Sequence, residues 1–419
     1  MNSLSTSKIK GQNIVVIEKN INSYLPLSLM KKRGLYVILL SADKYLNKVH
    51  RDEKAVINEL HIIDTADEQK VLALCQAINQ QRSINAIVSL FEYFIPLAAK
   101  IAISFGLPSN TVDTCNRARN KLLMRNALAE SSIPIPKYCE ARNFNNLDFC
   151  QQLIGFPNII KPVDLAGSRN VFLNANVLEL KNNYQKIQNQ VPIYGFEPSD
   201  IALIEEFVEG SEFSIESYTF EGQTEIIAIT EKTVSGGSTF VELGHQIPAC
   251  VSAEINDKIV KLVQATLKSI GIKTGVCHTE VKLGDNGSLK VIETAARPAG
   301  DRIVELVELA TGYSLWEAFI DAAFGIQTCQ SIQYRRFSGI YFLTSKPGTI
   351  QCIDGRDSCF DIPNVVEVNL YKKIGDTIGP LLNNSDRIGE VIATGDTGAS
   401  VKRTLRCAAR KLSIKIDER

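Results

Sequence analysis

The stretch Lys290–Gly300, KVIETAARPAG, ends an apolar run on an acid, Glu293, and places Arg297 four residues later, before Pro298, Ala299 and Gly300. Upstream, HTEVKL (278–283) carries a second acid, Glu280, in another apolar run. The turn Asp285-Asn-Gly287 between them suits an antiparallel hairpin. Such a hairpin can bring Glu280 and Glu293 to one face. Adjacent carboxylates repel unless a cation lies between them, and hard oxygen ligands suit Mg²⁺, which commonly bridges carboxylates and substrate phosphates. Arg297 would then stand near the same phosphates and could stabilise charge growing on a transferred phosphoryl group. The plain alternative is two acids on a solvated strand face; the core-like run around each acid speaks against it.

Two further stretches could serve a nucleotide. In NIIKPVDLAGSRNV (158–171) a strand reaches Lys161, and Gly167-Ser168-Arg169 follows. Glycine lets backbone approach a ligand, and free N–H groups there bind phosphate oxygens; a lysine adds a point charge. In IALIEEFVEGSEFSIE (201–216) the linker backbone at 206–208 could meet a base in an apolar slot, and Glu212 could accept ribose hydroxyl protons. Taken singly, the first is equally a surface hairpin and the second a charged turn. Glu92, after the strand-like AIVSL, stands where open α/β sheets place ligands and could pair with an ammonium; it could equally be a helix N-terminal acid.

These residues need elements to hold them. NIVVIE (13–18), YVILL (36–40) and AIVSL (86–90) read as buried strands, with helices at 68–81 and 93–106, the pattern of a parallel sheet. No G-x-G-x-x-G follows the first strand, so no dinucleotide site is expected there. A helix is predicted over about 114–131, then strands joined by tight turns, a helix at 254–270, the 276–295 hairpin, and helices over 301–323. Residues 335–419 read as a small β-rich module with a last helix at 398–411, and the Gly- and Ser-rich segment 231–245 as a mobile lid. With 46 acidic and 46 basic side chains among 419 residues, there is no broad footprint for nucleic acid or anionic membrane. No signal-like N-terminus or membrane-length apolar run is seen. Ten cysteines without C-x-x-C spacing and four histidines predict free thiols in a reducing, cytoplasmic setting and no structural zinc.

The order Lys121, Lys161, the Gly-Ser turn, EEFV, Glu212, Glu280, Glu293 and Arg297 resembles the ATP-grasp superfamily over roughly 115–325, and NKLLMRNALAESSIPIPKY is similar to its first ATP-binding segment. FVELGHQIPA (240–249), HTEVK (278–282) and ETAARPAGDRI (293–303) most resemble bacterial L-amino-acid ligases. The resemblance implies an α/β chain, α+β overall: a Rossmann-like domain over 1–113, an ATP-grasp domain over 114–330 and a small C-terminal β-rich domain over 331–419. It implies an ADP-forming carboxylate–amine ligase using ATP and Mg²⁺ through an acyl phosphate. Its roles carry over residue by residue. Lys121, Lys161, Gly167 and Ser168 would hold phosphates; Glu205, Glu206, Phe207 and Val208 would line the adenine; Glu212 would take the ribose. Glu280 and Glu293 would hold metal. Arg297 and Gly300 would meet the substrate carboxylate and acyl phosphate, and Glu92, Glu242, His245 and His278 would line the amino-acid pocket. Small-molecule carboxylate and amine substrates are the expected partners, with a homodimer as the candidate assembly. Two departures stand out: Ala295, where many superfamily members have a metal-binding asparagine, and Asn170, where a glycine is common. Competing readings are a ligase for a non-amino-acid carboxylate and an ATP-binding protein without catalysis.

Overall fold

A computed structural model describes residues 8–19, 26–46, 49–193, 195–236 and 239–417. Four short strands, three of them largely apolar, form a parallel sheet near the N-terminus: β1 (Asn13–Ile17), β2 (Tyr36–Ser41), β3 (Glu59–Ile62) and β4 (Ala86–Val88), in the order β3-β2-β1-β4, with the alternating β3 at its edge. Helix Glu68–Gln81 begins where the Asp67 carboxylate accepts from the Lys70 amide. The expected helix at 93–106 is a 3₁₀ turn, Glu92–Phe94, followed by a helix Ile95–Ser104 with Pro96 in its first turn.

The single helix expected over 114–131 is two, Val112–Arg119 and Lys121–Glu130. Asn120 breaks them: its backbone is extended and its side-chain oxygen accepts from the Leu122 and Leu123 amides. An apolar periodicity of 3.6 continues through such a break, so it is silent about one. The break matters, because it puts Lys121 at a helix start, with its amide bound to the Val163 carbonyl at 2.7 Å.

A small antiparallel sheet follows, β5 (Tyr138–Ala141), β6 (Asn158–Pro162), β7 (Phe172–Asn174) and β8 (Ala202–Glu206), in the order β5-β8-β6-β7. Contrary to the expectation of ten free thiols, Cys139 on β5 is disulfide-bonded to Cys150 on helix Asn146–Ile154, their Cα atoms 5.5 Å apart. A strand and the helix packed on it bring the two together, which their separation of 11 residues does not announce.

The largest sheet has eight strands. β9 (Ser211–Phe220), β10 (Gln223–Val234), β11 (Glu242–Ile247), β12 (Gly275–Leu283), β13 (Leu289–Ala295), β14 (Phe337–Leu343), β16 (Val365–Leu370) and β18 (Gly389–Gly395) run in the order β13-β12-β9-β10-β11-β14-β18-β16. β15 (Gly348–Asp354), β17 (Thr377–Ile378) and β19 (Ser413–Asp417) form a side sheet. Helix Ala253–Ile270 spans the predicted range, started by Ser252 and stopped by left-handed Gly271. The helical stretch expected over 301–323 divides at left-handed Gly312 into Ile303–Thr311 and Leu315–Ala323. The sheet crosses residue 330 without interruption, through β11 and β14. A buried ion pair at 2.6 Å, Arg33 with Asp321, ties the N-terminal part to helix Leu315–Ala323. No helix among the described residues is long and apolar enough to cross a membrane.

Candidate active site

A cleft opens between the small sheet and the face of β9–β13. Lys121, Lys161, Gly167, Ser168, Glu205, Glu206, Phe207, Val208, Glu212, Glu280 and Glu293, eleven positions expected from sequence, all line it. Ile159, Phe240 and Ile292 supply apolar walls beside Phe207. The loop after β6 bends through left-handed Gly167, Ser168 and Asn170. A Cβ on Gly167 would meet nothing within 4 Å, so that backbone is open to a ligand. Asn170 is among the residue types that tolerate a left-handed backbone, and its amide donates to Gln190 at 3.3 Å.

The hairpin forms as its turn predicts. β12 and β13 place Glu280 directly opposite Glu293 and His278 opposite Ala295. Ala295 lies two residues beyond Glu293 and lines the same cavity wall as Glu280, Glu293 and Arg297. Lys121 reaches Glu293 at 3.1 Å while donating to the Leu165 carbonyl at 2.7 Å. His278 bridges two acids, 2.7 Å from Glu216 and 3.4 Å from Glu280. Burial works to lower its pKa, but Glu216 and Glu280 outweigh burial and push the imidazole up to about 10. His278 is therefore a cation at neutral pH and serves to fix Glu280. Burial likewise works to raise the Glu280 carboxyl; Lys232 and His278 overcome it and hold the group well below the ordinary carboxylate range.

Some side chains point to other work than sequence suggested. Glu205, expected against adenine, is buried, with its carboxylate between Arg125 Nε and Lys161 Nζ, each at 2.6 Å. It positions Lys161. Arg125, which is fully buried, also donates to the carbonyl of Ile292, next to Glu293, at 2.7 Å. Glu206 is engaged by Lys290. Glu92, expected to meet an ammonium, instead receives Arg297 Nε at 2.7 Å and a second guanidinium N–H. His245 is buried, 3.5 Å from Glu242 and 4.0 Å from Asp301, with no hydrogen bond to either ring nitrogen. Gly300 and Arg297 line a second, adjoining cavity that shares Gly167, Glu280 and Glu293 with the first, and a Cβ on Gly300 would meet nothing within 4 Å. After it the chain turns through left-handed Asp301 and Arg302, a conformation unfavourable for side-chain-bearing residues. Arg387 holds Asp301 through two bonds of 2.8 and 2.7 Å, and Glu367 and Glu390 hold Arg302 at 2.7 and 2.6 Å.

Sequence reasoning assigned no role to Arg125, Lys232, Glu216, Asp301, Asn384 or Arg387. Arg125 had a signal, since it lies one helical turn from Lys121. So did Lys232, a cation interrupting the apolar alternation of β10. Asn384 and Arg387 sit more than 80 residues from the groups they touch and had none. Within the expected lid, Ser235 binds Val241 and Thr239 across the loop; Gly237 and Ser238 lie outside the described residues.

Two acids at one hairpin position, two lysines and an open glycine loop facing one cleft are the parts of an ATP-dependent ligase. Comparison with known families gives the class. The family described as ATP-grasp domain matches residues 154–305, the ATP-grasp N-terminal domain matches 31–109, and the L-amino acid ligase C-terminal domain 2 matches 341–417. The chain thus carries an ATP-grasp domain, and named relatives it matches are ligases. The alanine–anticapsin ligase of Bacillus subtilis strain 168 is 28% identical over 272 residues, covering 61% of this chain and 57% of that protein. The match thus spans little more than half of that relative. An L-arginine-specific L-amino acid ligase of Bacillus subtilis is 21% identical over 325 residues, 77% of this chain and 78% of its own. The crystal structure of an L-amino acid ligase from Bacillus licheniformis superposes with a TM-score of 0.85 at 22% identity, over 97% of this chain and 99% of that one.

Proposed function

We propose that the protein joins an amino acid to an amine through an acyl phosphate, releasing ADP and phosphate. The observation that carries this reading is the meeting of Lys121, Lys161, Gly167, Glu280 and Glu293 around one cleft, with Arg297 in the adjoining cavity that shares Gly167, Glu280 and Glu293 with it. ATP would lie with its base among Ile159, Phe207 and Ile292, its ribose toward Glu212, and its phosphates under Gly167 and Ser168 between the two lysines. The three parts, N-terminal, ATP-grasp and C-terminal, are the division we retain.

The donor set fits Mg²⁺. Glu280 and Glu293 are opposed carboxylates, and Glu280 is kept ionised by its neighbours. When bound, the ion would neutralise charge on the phosphates. The chain's own residues do the rest. The substrate carboxylate oxygen attacks the γ-phosphorus, the bond to the β-phosphate oxygen breaks, and ADP leaves. Lys121 and Lys161 orient the phosphates, and Arg297, held by Glu92, faces the charge on the transferred group. The amine then attacks the acyl carbon, phosphate leaves with the bonding pair, and the ammonium proton passes to solvent or phosphate. Glu242, beside Asp301, would line the amine's pocket; His245, expected there, lines neither cavity and lies fully buried behind Glu242. Residues 231–234 and 242–245 of the expected lid are paired in the sheet, so only the turn between β10 and β11 would shield the acyl phosphate from water.

The experiment is product analysis across pairs of amino acids. ADP and phosphate in equal amounts, with phosphate release dependent on the amine, are expected. AMP and pyrophosphate would refute the acyl-phosphate route. Nucleotide binding without turnover for any pair would refute the ligase reading.

A further inference from the structure

Lys232 belongs to none of the roles above, yet it sits at the centre of the acids. Its Nζ lies 2.7 Å from Glu212, 2.6 Å from Glu242 and 2.5 Å from Glu280. These acids come from three strands, β9, β11 and β12, and would serve the sugar, the amine and the metal. The Lys232 side chain is only 2% exposed. Along β10 its neighbour Glu231 faces outward to Lys402, while Lys232 is turned inward, directly opposite Glu212 on β9 and His245 on β11. One oxygen from each of the three acids lies within 4.8 Å of the others, a spacing that could hold a metal ion. Three carboxylates so close attract a cation, and the protein supplies its own.

The approach to Glu280 is directional. Lys232 and His278 both reach its Oε1, leaving Oε2 without a bond from either. Glu293 lies directly across the hairpin. We propose that Lys232 is a built-in cation that excludes divalent ions from the Glu212–Glu242–Glu280 triad. A metal ion is thereby confined to the Glu280–Glu293 side, and the three functional acids keep their register before any ligand arrives. Lys232 is a positioning residue in this scheme, since it acts through the acids. The proposal rests on the assignment of Glu280 and Glu293 as metal ligands.

The test uses the full-length protein without nucleotide and Mn²⁺ as the probe, read by electron paramagnetic resonance. Lys232→Met should acquire one additional Mn²⁺ per chain, bound on the order of tenfold or more tightly than anything in the parent. Lys232→Arg, which keeps the charge, should behave as the parent. A merely structural lysine would not create a new ion site when removed. Equal Mn²⁺ binding by the parent and Lys232→Met would overturn the proposal. If Lys232→Met does not fold alone, Lys232→Met/Glu242→Gln removes one of the repelling acids; an added, weaker Mn²⁺ site supports the proposal and parental binding overturns it. Because no nucleotide or turnover enters, failure here is separate from failure of the product analysis.

Discussion

Glu205→Gln separates the two roles this acid could have. A glutamate lining adenine could be replaced with little effect on folding. In the structure its carboxylate lies between Arg125 and Lys161, all three buried. The amide keeps the shape but removes the negative charge between the two cations, and its NH₂ group faces a cation. Breaking a buried pair on one side costs about 3–5 kcal/mol. For cooperative units of about 150–250 residues each kcal/mol moves the melting midpoint by about 2–4 °C, so a fall on the order of 10 °C is expected. Glu206→Gln is the internal control. Its pair with Lys290 is partly solvated, with side chains 23% and 27% exposed, and such pairs contribute about 0–1 kcal/mol. Calorimetry or circular dichroism on both variants, with ATP affinity measured below the melting range, gives the comparison. Nucleotide affinity should also fall in Glu205→Gln, since Lys161 loses the group that aims it. Equal midpoints for the two variants, within about 2–4 °C of the parent, would refute the argument.

Further outcomes follow from the same geometry. Burial works to raise the Glu205 carboxyl, but Arg125 and Lys161 outweigh it, so the folded group titrates below its unfolded value. Its stabilisation is therefore present above about pH 4.3 and is lost as pH falls through the lower folded value; melting curves of parent and Glu205→Gln should converge on acidification across that window. Arg297→Ala should lower turnover on the order of 10²-fold with nucleotide affinity little changed, in steady-state and binding assays. Glu92→Gln should lower turnover less, and adding it to Arg297→Ala should cost nothing more; additive losses in that double-mutant cycle would mean Glu92 acts on its own. Ala295→Asn offers an oxygen on the face shared with Glu293, so activity in a Mg²⁺ titration at fixed MgATP should reach half-maximum at lower Mg²⁺. An unchanged midpoint would mean position 295 does not serve the metal.

Local elements were readable where one residue does one local job. The Asp285-Asn-Gly287 turn between two apolar runs specified the hairpin, but its regular register would pair Glu280 with Ile292; a register shift between Glu280 and Val281, which the turn does not encode, brings Glu280 against Glu293. Ser252 and Gly271 bounded a helix in the predicted place. The failures have the same origin from the other side. Asn120 interrupts a helix without interrupting its apolar stripe, so only the side chain's competition for backbone N–H groups betrays the break. The disulfide depends on how helix Asn146–Ile154 packs against β5, which no cysteine spacing encodes.

The adjacent acids Glu205 and Glu206 show where legibility ends. Both close the same apolar run, and a period of two says only that they face opposite ways. Which one is buried is decided by neighbours remote in sequence. β8 lies between β5 and β6, so Glu205 is opposite Tyr138 on one side and Ile159 on the other. Helix Lys121–Glu130 then brings Arg125 to it from 80 residues away. The same holds for Asp301, whose left-handed backbone is held by Arg387, 86 residues on and just before β18. Residues that touch substrate belong to short motifs, because reacting groups must stand close to loops and strand ends. Residues that aim them are chosen by packing between elements. A site read from sequence therefore shows its hands before its arms, and Lys232, marked in the sequence only as a cation in an apolar run, shows which three hands it holds only when the strands are laid side by side.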